Sequence, residues 1–314
     1  MGWCYFMSER SRKVVVLGSI NIDLGISVDK MPQQGETKTG TNLIENIGGK
    51  GANQALQAVA LGCNTEMISA VGNDMFGQRA RNYLSEKGLN IDHVFTKPTK
   101  TGLAFITRTD QDNRIILYKG SNHALDEQEV ENAINGKEGD VFITQFEIPL
   151  NIVKRGLKRA KELGMVTILN PAPANYSDDS LYPYVDYFIV NQTEAEILSG
   201  IYPNNLEDAK KVYAYFKEKG VSKLIVTLGG DGAVYLDPQE VQKIAAYNIN
   251  VLDTTGAGDA FVGGLAYAIC QGYDTKTMMK IASASGAHAC LHVGVENAMG
   301  NYSQIYKIME ENNE

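Results

Sequence analysis

An aspartate follows a run of small residues just before a predicted helix near the end of the chain. The segment DTTGAGD occupies positions 253–259, and the apolar residues after it predict a helix over Ala260–Cys270. Small residues let backbone N–H groups converge on an anion, and the helix dipole adds positive potential there. Asp259 would then accept a proton from a hydroxyl that attacks a phosphorus atom. The alternative is an ordinary helix start with an acidic first turn, and the segment alone favours neither.

A second glycine-rich segment, GGKGAN at 48–53, precedes another predicted helix. It differs from the P-loop motif G-x-x-x-x-G-K-[ST], because Gly51 follows the lysine where that motif has serine or threonine. We therefore interpret it as a tight turn that places Lys50 and Asn53 at the mouth of the helix, where they can hydrogen-bond a polyol. A glycine-rich connector with a solvated lysine is the alternative.

Two polar side chains follow the first predicted strand. The segment GSINID at 18–23 places Asn21 and Asp23 two residues apart, so both point to the same side of an extended chain. An amide and a carboxylate suit sugar hydroxyls, which both donate and accept hydrogen bonds. In isolation, a turn rich in Asx residues is the simpler interpretation.

Two further clusters of polar residues and glycines follow later predicted strands. The segment NQTE at 191–194 predicts either a helix capped by Thr193 or a magnesium–water cluster held by Asn191 and Glu194 near phosphates. The glycines of TLGGDG at 227–232 allow close approach to a nucleotide, although turn glycines are common.

Composition and charge exclude several classes of protein. The chain has 314 residues, of which 29 are Lys or Arg and 37 are Asp or Glu, giving a net charge of −8. This acidic balance disfavours nucleic acid as the main partner, and no apolar run approaches the ~20 residues that span a membrane. The four cysteines form no C-x-x-C pair. They predict buried thiols in a reducing compartment and therefore a cytoplasmic location.

Hydrophobic periodicity predicts the elements that must position these residues. Repeated strand–helix units imply a mainly parallel sheet with helices on both faces, and ligands bind beyond the carboxyl ends of such strands. The predicted strands are Lys13–Leu17, Met67–Val71, Val141–Thr144, Val166–Asn170, Tyr187–Val190 and Leu224–Leu228, followed by a hairpin-like pair at Ala233–Leu236 and Val241–Ala245. The predicted helices are 50–61, 76–87, 150–163, 206–219, 260–270, 276–292 and 302–310.

Two stretches in the first part of the chain do not fit this alternation of parallel strands and helices. Residues 22–47 predict exposed antiparallel strands, and two more strands are expected around the turn DQDN at 110–113. We expect these stretches, at about 22–47 and 101–120, to form a small β lid at the sheet edge. Since no repeat or Pro/Ser-rich linker divides the chain, residues 13–314 are predicted to form a single α/β domain.

Together these segments resemble the ribokinase family of carbohydrate kinases, also called the PfkB family. The resemblance extends from Lys13 to about Gly294, and the segments at 48–53 and 253–259 resemble the two signatures of the family. It is strengthened by the segments at 18–23, 170–173 and 191–196. It implies a ribokinase-like fold, in which helices flank a doubly wound, mainly parallel sheet with a small β lid.

The resemblance also implies an activity, the ATP-dependent phosphorylation of D-ribose at its 5-hydroxyl. It implies that Asp259 is the catalytic base and that Gly256, Ala257 and Gly258 form the anion hole. The residues implied to bind the sugar are Asn21, Asp23, Gly49, Lys50, Asn53, Glu147 and Asp259. Those implied at ATP and its Mg²⁺ are Asn191, Thr227, Gly229, Gly232, Gly258 and Ser283, with Glu194 supporting the metal.

A monovalent cation, usually K⁺, is a further implication of the resemblance. Asp253, Thr255 and Gly294 match its site beside the anion hole, but Ala298 stands where the family has a hydroxyl ligand. The lid strands form a dimer interface in similar proteins, which implies a homodimer.

The spacing of the motifs leaves the acceptor open. Kinases of the same family that act on 2-deoxyribose, another sugar or a nucleoside are alternatives. A remote alternative is a non-catalytic sugar or nucleotide sensor. The presence of Asp259 argues against a sensor, because a sensor needs no catalytic base.

Overall fold

The computed structural model describes residues 12–109, 113–174, 178–295 and 297–312. Its strands are β1 (Lys13–Leu17), β2 (Asn21–Ser27), β3 (Thr41–Gly48), β4 (Asn64–Gly72), β5 (Asn90–Lys97), β6 (Gly102–Arg108), β7 (Asn113–Tyr118), β8 (Val141–Thr144), β9 (Val166–Leu169), β10 (Tyr187–Asn191), β11 (Lys223–Thr227), β12 (Ala233–Leu236) and β13 (Val241–Ile244). Its α-helices are α1 (Lys50–Ala60), α2 (Met75–Glu86), α3 (Glu127–Ala133), α4 (Leu150–Glu162), α5 (Gln192–Ser199), α6 (Leu206–Glu218), α7 (Ala257–Gln271), α8 (Thr275–Ala289) and α9 (Tyr302–Glu311).

A mainly parallel sheet forms the centre of the fold, in the order β13-β12-β11-β10-β9-β8-β1-β4-β5. The pairs from β11 to β5 are parallel, whereas β12 and β13 extend the sheet in antiparallel pairs. Alternate residues of β1 belong to two separate apolar clusters, Val14 and Val16 to one, Val15 and Leu17 to the other. Each face of the sheet is therefore covered by helices, and the predicted doubly wound architecture is confirmed.

A second, four-stranded sheet contains the two early stretches and has the order β3-β2-β6-β7. We call it the small sheet. The strands β2 and β6 pair in parallel and the outer pairs are antiparallel, so both stretches belong to the same sheet. Positions 110–112, in the predicted turn between β6 and β7, lie outside the described residues.

Several sequence predictions of element bounds were wrong. The edge strand β5 and the short helix α3 were not predicted, because NIDHVFTK is too polar for a core strand and α3 has only seven residues. Helix α7 begins at Ala257 rather than Ala260, directly after Gly256, whose φ of 80° is left-handed. Helix α8 ends at Ala289, short of His292.

Across the described ranges, the helices are all too short or too polar to cross a membrane.

Candidate active site

The carboxyl ends of the central strands meet at one edge of the main sheet. The chain order reverses at β1, which has β8 on one side and β4 on the other, and such a reversal opens a crevice for ligands. The ends of β10 and β11 lie side by side, with Asn191 opposite Thr227. A cavity of about 190 Å³ at this edge is lined by Lys50, Asn170, Ile189, Val190, Asn191, Glu194, Thr227, Thr254, Gly256, Gly258, Asp259 and Val262.

Asp259 lies in the first turn of α7 and is only 6% exposed. Its Oδ1 accepts a hydrogen bond from Gln54 Nε2 and its Oδ2 accepts one from Asn53 Nδ2, each at 3.0 Å. Both amides belong to α1, so the packing of α1 against α7 fixes the carboxylate at the cavity. Gln54 was given no role from the sequence, and the available signal was a pair of adjacent amides in the first turns of α1.

The backbone at the start of α7 faces the same cavity. The first N–H groups of a helix have no acceptor within it, so those of this turn can bind an anion. The N–H of Ala257, however, donates to the carbonyl of Thr254 at 3.2 Å. A Cβ atom added at Gly258 would meet no heavy atom of the described residues within 4 Å, so open space adjoins this residue. Of the three predicted anion-hole residues, Ala257 thus has an N–H that is already engaged.

Lys50 begins α1 and lines the cavity with Asp259 and Glu194. Burial alone would lower the pKa of its ammonium group, but the nearby carboxylates of Asp259, Glu147 and Glu194 raise the pKa above its usual value. The lysine therefore keeps its positive charge. The preceding Gly49 has a φ of 96°, and a Cβ there would lie 2.9 Å from backbone atoms of Ser19 and Asn21, so glycine is required.

The predicted sugar residues Asn21 and Glu147 form one hydrogen-bonded group. Glu147 Oε2 accepts from Asn21 Nδ2 at 3.4 Å, from the Lys50 backbone N–H at 3.1 Å and from Ser19 Oγ at 2.5 Å. Asn122 Nδ2 donates to Asn21 Oδ1 at 2.8 Å and orients that amide. Neither Ser19 nor Asn122 was assigned from the sequence, because their partners lie about a hundred residues away.

Asp23 lies on strand β2 of the small sheet, close enough to Glu147 and Asp259 for their charges to affect its carboxyl group. Burial, with the charges of Glu147 and Asp259, raises the pKa of its carboxyl from 3.8 to about 7, although Arg108 lowers it in part. A Cβ at Gly48 would lie 2.2 Å from Asp23 Oδ2, so any larger residue there would displace the Asp23 carboxylate.

The predicted nucleotide residues line a second, adjacent cavity of about 420 Å³. Asn191, Thr227, Gly229, Gly232, Gly258 and Ser283 all lie in its wall. Within the described residues, the buried Oγ of Ser283 has no hydrogen-bond partner, which leaves it available to a ligand.

Asn191 also caps α5, which corrects the assignment of that role to Thr193. Its side chain accepts from the Glu194 N–H at 2.8 Å, and Glu194 Oε2 accepts from the Asn191 N–H at 2.9 Å. This reciprocal pair fixes Glu194 at the wall of the first cavity. Burial raises the pKa of the Glu194 carboxyl, against the opposing effects of Asn191 and Lys50.

The three predicted cation residues also lie together. Asp253 Oδ1 accepts from the N–H and the Oγ1 of Thr255 at 2.9 and 2.7 Å, and Oδ2 accepts from the Gly294 N–H at 2.9 Å. Burial raises the pKa of Asp253, but these bonds and Arg108 outweigh it and hold the pKa below its usual value. The carboxyl is therefore ionised.

These features define a class of site: a buried carboxylate at a helix N-terminus, beside a charged lysine and polar cavities, suits phosphoryl transfer to a hydroxyl.

The model of the pfkB family carbohydrate kinases matches residues 11–300. The chain is 33% identical over 302 residues to a ribokinase of Haemophilus influenzae, covering 95% of this chain and 99% of that protein. It is 31% identical over 303 residues to a deoxyribokinase of Salmonella typhi, with the same coverage.

A solved structure of Arabidopsis thaliana ribokinase, complexed with ribose and ATP, superposes with a TM-score of 0.88 at 26% identity. The match covers 96% of this chain and 99% of that one. The chain therefore belongs to the pfkB family of carbohydrate kinases, and it is a sugar kinase.

Proposed function

We propose that this kinase transfers the γ-phosphoryl group of ATP to the 5-hydroxyl of D-ribose. The main support is the position of Asp259, a buried carboxylate held by two neutral amides where a helix N-terminus opens into a polar cavity. The similarity to ribokinases, and to a structure with ribose and ATP, makes ribose the first candidate acceptor.

Asp259 acts as the general base in this proposal. Its carboxylate takes the proton of the 5-hydroxyl as the oxygen attacks the γ-phosphorus atom, and ADP leaves from the opposite side. The N–H groups of Gly256 and Gly258 stabilise the negative charge on the phosphoryl oxygens. The N–H of Ala257 joins them only if its bond to Thr254 opens.

ATP fits the larger cavity, where Asn191, Thr227 and Ser283 offer polar groups beside glycines that allow close approach. The phosphates then extend toward Lys50 and Glu194 in the smaller cavity. Mg²⁺ bound with ATP would neutralise phosphate charge and keep most of its waters, so few protein ligands are needed. Glu194 and Asn191 would bind the waters of this Mg²⁺, since both carry side-chain oxygen atoms at the cavity wall that can accept hydrogen bonds.

The sugar lies between the small sheet and the start of α1. Asn21, Asp23 and Glu147 supply donors and acceptors for its hydroxyls, and Lys50 and Asn53 complete the set. The Oδ1 of Asn53 is buried and lacks a hydrogen-bond partner in the described part of the chain. The small sheet is the lid of this proposal and closes over the sugar.

A second candidate acceptor is 2-deoxyribose, which the similarity to a deoxyribokinase favours. The two sugars differ by one hydroxyl, and a site built to hydrogen-bond that hydroxyl rejects the analogue that lacks it.

A panel of acceptors tests the assignment. ADP release is measured with D-ribose, 2-deoxyribose, other pentoses, hexoses and nucleosides, each over a range of concentrations. We expect the highest kcat/KM for D-ribose, with phosphorylation at O5 in the isolated product. Strong turnover of another acceptor without turnover of ribose would refute the ribose assignment.

We also propose a homodimer through the small sheet. Its outer face exposes large apolar side chains on three strands, among them Leu43, Phe105 and Ile116. Phe105 and Ile116 are register partners, so they form one patch. Contiguous apolar patches of this kind usually mark an interaction site.

A further inference from the structure

An arginine of the small sheet reaches the predicted cation site. Arg108 ends β6 and lies on the same face as the buried residues Ala104 and Ile106, so it points toward the interior. Its Nη1 is 3.9 Å from Asp253 Oδ2, across the gap between the small sheet and the loop before α7.

The residues around Asp253 do not fit a monovalent cation. Such an ion needs a shell of oxygen ligands, but the Asp253 carboxylate already accepts three hydrogen bonds and faces the Arg108 guanidinium. The hydroxyl expected near Ala298 is replaced by a methyl group that is 0% exposed and packs against Ala260 and Ala289.

The space that remains at this place brings any occupant next to the guanidinium of Arg108. A cavity lined by Asp23, Arg108, Thr255 and Gly294 has a volume of about 10 Å³, which is room for about one water molecule. A metal cation there would be repelled by the positive charge of the guanidinium.

We propose that the guanidinium of Arg108 takes the place of the monovalent cation in this chain, so that its kinase activity does not depend on K⁺. The inference rests on the proposed kinase function of the site. The positive charge is supplied by a side chain that is part of the lid.

Arg108 acts as a positioning residue in this proposal. Asp253 binds the backbone of Thr255, which leads into Gly256, and the backbone of Gly294. By balancing the charge of Asp253, Arg108 keeps this loop in place without an added ion. It also ties the small sheet to the anion-hole loop, so lid and phosphate site are connected by one ion pair.

The first test compares the wild-type chain in KCl and in tetramethylammonium chloride at equal ionic strength. We expect kcat values within twofold of each other and equal midpoints of thermal unfolding. A tenfold or greater activation by K⁺, or a midpoint raised by K⁺ alone, would overturn the proposal. If no sugar is phosphorylated in either salt, the proposed function has failed, and the unfolding midpoints still test the cation site.

The second test uses variants of the arginine. We expect Arg108→Ala to lower kcat at least tenfold, with partial recovery in millimolar guanidinium chloride but not in KCl. Arg108→Lys keeps the charge and should stay independent of K⁺. Arg155→Ala, which removes an arginine of helix α4 that pairs with Glu131, is the matched control and should behave as wild type. Full activity of Arg108→Ala without any added cation would refute the role of the guanidinium.

Discussion

Asp259 is bound by neutral amides, and this suits a group that must gain and lose a proton. Asn53 and Gln54 donate to its two oxygens and do not themselves titrate. The charged groups near the carboxylate, Lys50 and Glu194, line the cavity instead. Among the described residues, hydrogen bonds from neutral amides rather than a salt bridge therefore hold the proposed base.

Asp259→Asn should lower kcat by about 10²- to 10⁴-fold, because an amide cannot accept the proton of the sugar hydroxyl. Folding should survive, since Asn53 Oδ1, which has no partner among the described residues, can turn toward the new NH₂ group. Steady-state kinetics and thermal unfolding measure the two effects. Asp92→Asn, at an exposed position of the edge strand β5, is the matched control. An unchanged kcat in Asp259→Asn would exclude this residue as the base.

Asp23 predicts an unusual dependence of stability on pH. Its pKa is about 7 in the folded chain against 3.8 when unperturbed, so between these values the folded state holds a proton that the unfolded state has lost. Stability therefore falls as pH rises through this window, by an upper limit of about 4 kcal/mol. The advantage of Asp23→Asn over wild type should grow from pH 4 to 7 and then level off.

Urea unfolding at several pH values measures that difference. Exposed Asp29 gives a control of opposite sign, because hydrogen bonds from the Lys30 backbone and Lys38 lower its pKa. The contribution of Asp29 is lost as pH falls, so Asp29→Asn should be relatively less stable at neutral pH. A constant difference between Asp23→Asn and wild type would contradict the raised pKa.

At the scale of the element, strands and helices with a regular apolar pattern were predictable and the contacts between them were not. The buried runs of β1 and β11 and the helix start at Lys50 have local signals, and the structure confirms them. Asn53 and Asp259 are 206 positions apart, and no local pattern reports their hydrogen bond. The resemblance to a family placed both at one site, whereas it gave no role to Arg108 or Gln54.

Local capping chemistry explains one wrong assignment. Asn191 and Thr193 are both good N-cap residues, and the choice between them depends on where β10 ends. The strand continues to Asn191, so the asparagine takes the cap and binds Glu194.

The exposed face of the small sheet predicts the oligomeric state. Leu43 and Ile116 are 77% and 71% exposed, and we expect a dimer to bury them. Ile116→Lys should convert the dimer to a monomer, because a buried unpaired charge costs several kcal/mol. Light scattering at micromolar concentration measures the change. Val241→Lys, at an exposed apolar position on β13 of the main sheet, is the control and should stay dimeric. A monomeric wild-type chain would contradict the interface.

For the whole molecule, the net charge of −8 opposes the approach of a phosphate donor. The positive potential at the site is local, and it comes from Lys50 and from the backbone N–H groups at the N-terminus of α7. The chain has 31 glycines, and two of them, Gly256 and Gly258, line the cavity. That residues 13–314 form a single domain stays a prediction.

The combination of a negative net charge with a local positive potential at the site predicts how catalysis responds to salt. MgATP is an anion and so is the chain, so their long-range repulsion is screened as ionic strength rises, with a Debye length of about 30 Å at 0.01 M and about 8 Å at 0.15 M. We expect kcat/KM for MgATP to rise between these concentrations, while kcat/KM for a neutral sugar stays constant. Tetramethylammonium chloride is the salt of choice, because it separates screening from any effect of K⁺. A fall in kcat/KM for MgATP would mean that the charge of Lys50 reaches into solvent and governs the encounter, against the half-buried position that the fold gives it.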